Sequence, residues 1–200
     1  DYAGGIANGR QLKAVIPGGS SVPVLKPDQI DVQASFDALM KAGSMLGSAG
    51  MIVMDDSTCM VWACKNLLHF YRHESCGKCT PCREGTGWLE KVLYRMANGH
   101  GRPDDLDLLL SFGNNLAPGL NWPPGMYTIC QLGPSAMSPA VSLNRWWRDE
   151  IIERLGLPAD TPQLVHGFAR PNLGLRVHDT RTAADGVGAR RSATKSQMLK

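Results

Sequence analysis

The stretch HESCGKCTPCREG, His73 to Gly85, sets Cys76, Cys79 and Cys82 at intervals of three along one short loop. Thiols spaced this tightly read as metal ligands in a compartment where they stay reduced, not as a disulfide framework. Turned inward, the three soft thiolates face three corners of a cuboidal iron-sulfur cluster, and the fourth corner then needs a remote thiolate. Zinc sites more often combine two separated Cys-x-x-Cys pairs or a spaced histidine pair, and neither is present.

Three further cysteines are available, Cys59, Cys64 and Cys130. Cys59 and Cys64 fall in a stretch with helical period, where cysteine commonly serves as a small core residue. Cys130 lies in irregular chain directly before QLGP and is the best candidate for the fourth ligand. His69 and His73 sit four apart near the end of the same helical stretch, where an exposed or packing role is expected. Gly77 and Gly85 are expected to let the backbone approach the cluster, Pro81 to stiffen the turn, and Lys78 and Arg83 to offset its negative charge. Four sulfur ligands leave no position for substrate, so the expected chemistry is electron transfer with no catalytic residue on this chain.

Composition excludes several classes. With 21 Lys and Arg against 18 Asp and Glu, the net charge of +3 is too small to argue for nucleic acid. No apolar run reaches the length of a membrane span. A content of 43% hydrophobic and 20% charged residues in 200 is that of an ordinary globular chain. The opening DYAGGIANGR lacks Met and any signal pattern, and is read as a processed product or fragment.

The expected fold class is α+β. Residues 1–56 hold short β-type runs, LKAVIPGG, SVPVL, QIDV and MIVMDD, with one helix at SFDALMKAG capped by Ser35 and stopped by Gly43. That is a β-grasp-like arrangement. Residues 57–157 carry four helical patterns joined as a four-helix bundle. The first is capped at Asp56 or Ser57, the second follows the cysteine loop with Trp88, Leu89, Val92, Leu93 and Met96 on one stripe, and the third opens at Asp104 or Asp105. The fourth is capped by Ser138 with Pro139 at its first position, and ends at Gly156. Residues 158–200 form a polar tail, expected to be extended on a partner or disordered.

ESCGKCTPCREGTGW, with TICQLG and RDE, closely resembles the carboxy-terminal part of the NADH-binding flavoprotein subunit of respiratory complex I, NADH:ubiquinone oxidoreductase. PGGSSVPVL, SFDALMKAGSMLGSAGMIVMDDSTCMV and GRPDDLDLL follow the same family in the same order, so the resemblance runs from about Tyr2 to Ile152. It implies that Cys76, Cys79, Cys82 and Cys130 hold a 4Fe-4S cluster, behind a soluble-ligand-binding β-grasp domain. It also implies electrons arriving from FMN after NADH oxidation and leaving along other iron-sulfur subunits toward quinone. The family's glycine-rich flavin and NADH loop has no counterpart here, so FMN and NAD are expected on an adjoining domain or partner chain, and this chain alone is not expected to oxidise NADH. APGLNWPPGM lengthens the segment before Cys130, and CQLGPSAMSP stands where the family often has CALGD.

The alternatives are the equivalent module of an NAD-linked hydrogenase or formate dehydrogenase, and a metal-stabilised scaffold without a redox role. The motif looks closest to mitochondrial and alphaproteobacterial versions. The expected location is therefore the matrix side of the mitochondrial inner membrane, in the peripheral arm and without direct membrane insertion, with a bacterial cytoplasmic face as the alternative.

Overall fold

The computed structural model describes residues 3–120, 122–154 and 156. The tail expected over 158–200 lies outside them. The described part is helix-rich with a small sheet.

β1 (Leu12–Ile16) and β2 (Ile52–Asp55) pair antiparallel, with Ala14 opposite Met54 and Ile16 opposite Ile52. The run at Ser21–Leu25 contributes only a single bridge, with Val15 and Leu25 exchanging both backbone hydrogen bonds at 3.0 and 2.8 Å. Pro23 has no N–H to give to a ladder, which explains why the pairing stops there. The strand expected at QIDV does not form either. Pro27 opens a 3-10 turn, Pro27–Gln29, in which the Gln29 side chain takes the Lys26 N–H at 2.9 Å. α1 (Phe36–Lys41) forms as expected, with the Ser35 hydroxyl accepting from the Ala38 N–H and Gly43 at φ +81° just past its end. Its apolar side is only partly used: Leu39 is buried, whereas Phe36 and Met40 are exposed.

α2 (Met60–Glu74) starts later than Asp56 or Ser57. Asp55 instead takes the Ser57 N–H and hydroxyl in a tight turn, and the orphan Met60 N–H is accepted by the carboxylate of Glu150, ninety residues away. Lys13 meets the other oxygen of that carboxylate at 2.7 Å and also donates to the Thr58 carbonyl. One acidic side chain therefore ties β1, the start of α2 and the end of the chain's helical part together.

α3 (Thr80–Ala97) packs along α2 and α4 (Asp105–Leu116), and α5 (Leu132–Trp146) packs on α2. The fully buried Asp105 accepts from Arg95 and from the Arg102 N–H, linking α3 to α4. The fourth helix departs from expectation. It starts at Leu132, six residues before Ser138, so Ser138 is no cap and Pro139 lies inside the helix. Ser138 and Ser142 are buried and bond back to carbonyls three or four residues earlier, while Ser142 also accepts the Val24 N–H at 2.9 Å. Burial on two sides holds this segment helical against its proline. It breaks at Trp147, and α6 (Arg148–Arg154) continues the chain to Gly156, whose φ is +63°.

The core is continuous. Ala14, Ile16, Val22, Val24 and Met54 from the first part pack into the same cluster as Met60, Leu68, Leu89, Met96, Leu116 and Leu143 from the helices. Of the second helix's expected stripe, Leu89, Val92, Leu93 and Met96 are buried, but Trp88 is exposed and rests against Phe112.

Candidate metal centre

The cysteine run occupies the junction of α2 and α3. Ser75 closes α2 in an extended conformation, Gly77 turns the chain at φ +73°, and Cys79 is the N-cap of α3. Cys82 is therefore not in the loop at all: it sits in the first turn of α3 and is only 6% exposed, with Thr86 donating to its carbonyl at 2.8 Å. Cys76 is exposed and Cys79 partly so. Pro81 is in the same first turn, where its missing N–H has no intrahelical partner to lose.

Cys130 reaches this place by a different route. Leu116 ends α4, and its carbonyl accepts the Tyr127 N–H at 3.3 Å, which starts the return of the Pro- and Gly-rich segment. Thr128 is buried and donates to the Cys130 carbonyl at 2.7 Å. Gly133 makes room for it, because a Cβ there would meet the Thr128 methyl at 2.5 Å. Thr128 and Gly133 bound the TICQLG motif, but the sequence assigns neither a part in the site. The available signal is a glycine just inside the start of a helix, where an ordinary helix former is expected.

Cys82 is the cysteine on which the other three act electrostatically. Burial pushes the Cys82 thiol up; the Ser75 hydroxyl, 3.4 Å from its sulfur, opposes this, and the neighbouring charges of Cys79, Cys130 and Cys76 add to it. Cys79 moves the other way. A hydrogen bond from the Ile129 amide, joined by the amides of Cys82 and Cys79 and by the Arg83 charge, holds its thiol below the usual value against the effect of burial. Among the described residues, no three His, Cys, Asp or Glu side chains are close enough to share one metal ion.

The remaining candidates separate cleanly. Cys64 lies inside the core, 6% exposed, and burial pushes its thiol up to about 12. Cys59 precedes α2 and packs partly buried against the core. His69 is bound to Glu90 and His73 to Glu74, both histidines exposed. Gly85 does not let backbone approach the cysteines. It faces Leu116, whose Cδ1 stands 2.8 Å from where a Cβ would be, so it serves the packing of α3 on α4. Arg83 is committed to the loop, donating to the Gly77 carbonyl at 2.9 Å and to Thr80, and Lys78 is exposed.

Residues 62–154, which include all four cysteines, match the family model of the NADH-ubiquinone oxidoreductase-F iron-sulfur binding region. The chain carries this region. Over 155 residues it is 46% identical to the F-type subunit of NADH-quinone oxidoreductase from Rickettsia typhi, covering 77% of this chain and 35% of that protein. The corresponding Mycobacterium tuberculosis protein is 41% identical over 163 residues, covering 80% of this chain and again 35% of its own length. The chain thus spans about a third of the length of the curated relatives it matches. An NAD+-reducing NiFe hydrogenase, solved in the H2-reduced state, superposes with a TM-score of 0.62 at 26% identity, covering 73% of this chain and 24% of that one. The resemblance to the carboxy-terminal part of the complex I flavoprotein subunit holds. Both of these oxidoreductase relatives are bacterial, and among the described residues no helix is long and apolar enough to cross a membrane.

Proposed function

We propose that this chain is an electron-relay module of NADH:ubiquinone oxidoreductase, with Cys76, Cys79, Cys82 and Cys130 as the ligands of one 4Fe-4S cluster. The observation that carries this reading is the match of residues 62–154 to the iron-sulfur binding region, a stretch that includes all four of these cysteines. The donor set fits a polynuclear group better than zinc: it is all sulfur, three thiols at intervals of three and one remote thiol. Amide and hydroxyl hydrogens already aimed at Cys79 and Cys82 suit sulfur that carries negative charge. When bound, such a cluster takes up and gives away single electrons. The chain's own part is to hold the four thiolates, bury Cys82 and leave Cys76 and Cys130 exposed.

In this reading FMN and NAD lie on an adjoining domain or a partner chain, and this chain does not oxidise NADH by itself. The partners are that flavin-bearing part and other iron-sulfur subunits of the peripheral arm, with neither nucleic acid nor inserted membrane among them. Residues 1–56 are read as a β-grasp-like domain, 57–157 as the helical 4Fe-4S cluster-binding domain, and 158–200 as a polar tail. The resemblance of the cysteine motif favours the matrix side of the mitochondrial inner membrane, whereas the bacterial relatives favour the alternative, the cytoplasmic face of a bacterial membrane.

The test is iron and acid-labile sulfide content of this chain, released from the complex under anaerobic, non-denaturing conditions, with its visible spectrum before and after reduction. About four irons per chain and a bleachable absorption are expected. A colourless zinc protein would overturn the reading. A second reading is favoured by the hydrogenase likeness: the same module serving an NAD-linked hydrogenase, with formate dehydrogenase as the related case. Co-purification with membrane-arm subunits or with a hydrogenase separates the two. A metal-stabilised scaffold without a redox role would assemble or fail with Cys82→Ser, and show no separate electron-transfer defect.

A further inference from the structure

We propose that Ser75 is a positioning residue for the redox site: its hydroxyl holds a proton against the Cys82 sulfur and raises the potential at which the site gains an electron. The inference rests on the reading of the four cysteines as cluster ligands.

Ser75 ends α2, and its Oγ lies 3.4 Å from Cys82 Sγ. The same oxygen accepts the Gly77 N–H at 3.4 Å. A serine oxygen that receives a hydrogen on one side directs its own hydrogen elsewhere, and the neighbouring acceptor is the sulfur. The result is a relay of polarity from the Gly77 amide through Ser75 to Cys82, in which each bond strengthens the next. Gly77 supplies the left-handed turn, φ +73°, that brings its amide back over Ser75. Arg83 pins that turn from the other side by donating to the Gly77 carbonyl.

The location gives the bond its effect. Cys82 is buried, so water does not compete for its sulfur, whereas Cys76 and Cys130 are open to solvent. Gain of one electron adds one negative charge, part of which rests on the ligating sulfurs. An O–H held at the buried sulfur stabilises that more negative form. No bond is broken, and the serine proton stays on Oγ.

The experiment is an EPR-monitored redox titration of the complete complex, with dithionite as reductant, for the wild type, Ser75→Ala and Ser75→Thr. Iron content of each preparation is measured alongside. Ser75→Ala is expected to keep its iron and to show a lower midpoint, with the reduced-to-oxidised ratio at fixed potential falling by up to about tenfold, or about 59 mV for one electron. Ser75→Thr keeps the hydroxyl and is expected to keep the wild-type midpoint. An unchanged midpoint in Ser75→Ala at full iron content overturns the proposal. So does loss of iron from that variant, which would make Ser75 a structural support. If the wild-type chain released from the complex lacks about four irons, the cluster reading fails first, and the two failures are told apart by the iron measurement on that chain.

Discussion

Leu116 fills the space beside Gly85: its Cδ1 stands 2.8 Å from where a Cβ on that glycine would be. Gly85 is three residues past Cys82 on α3, and Leu116 ends α4 where the segment toward Cys130 begins. One helix contact therefore sets the separation of the two chain stretches that carry the cysteines.

Gly85→Ala is expected to destabilise the protein by about 1–3 kcal/mol, because Leu116 is fully buried and has little room to yield. Denaturant unfolding measures the loss. Iron content should fall with it, since α4 moves away from α3 at the site; a variant as stable as wild type would show that Leu116 repacks freely.

Cys82→Ser and Cys64→Ser are expected to part company. The first removes a proposed ligand and should lower bound iron, whereas the second alters a core thiol and should keep iron while costing about 1–3 kcal/mol for the buried hydroxyl. Metal analysis of both variants at equal protein concentration is the check. Equal iron loss in both would assign Cys64 to the site.

Glu90 gives a prediction in pH. Burial alone pushes its carboxyl up, but the hydrogen bonds from Arg72 and His69, and their charges, outweigh this and hold it below the usual value. A carboxylate depressed in the folded state contributes stability above its unfolded pKa and loses it as pH falls through the folded one. Glu90→Gln should therefore lower stability at neutral pH and flatten the acid limb of the stability curve below about pH 4.5. Thermal unfolding across pH 3 to 7 tests it, and parallel curves for the two proteins would count against the linkage.

Glu150→Ala should cost about 1–2 kcal/mol, as loss of a helix cap does, because the Met60 N–H then has no acceptor and Lys13 is left with the Thr58 carbonyl alone. Glu150→Gln keeps an oxygen for Met60 and should recover part of that. Amide exchange at Met60 would report the cap directly: rapid exchange in the alanine variant is expected, and unchanged protection would show another acceptor.

The helical faces were legible because they depend on local period. Of the apolar positions that spacing marks on α2, Met60, Val61, Cys64, Leu68 and Tyr71 are buried and Leu67 is half-buried, and Ser35 and Gly43 bound α1 through chemistry contained in adjacent residues. The strands were less legible. Pro23 reduces one run to a bridge and Pro27 turns the next into a 3-10 turn, since a strand needs partners that no local pattern supplies.

By itself the sequence determined the chemistry on offer: three thiols on one short stretch, a fourth in irregular chain, and cysteines of helical period destined for the core. Those follow from residue type and spacing. Only the tertiary structure decided that Cys82 belongs to a helix and is buried, that Gly85 serves Leu116, that Thr128 and Gly133 seat the chain at Cys130, and that Glu150 caps a helix ninety residues away. Each of these depends on which surfaces meet, and a contact between distant segments is fixed by packing rather than by the residues on either side of it in the chain.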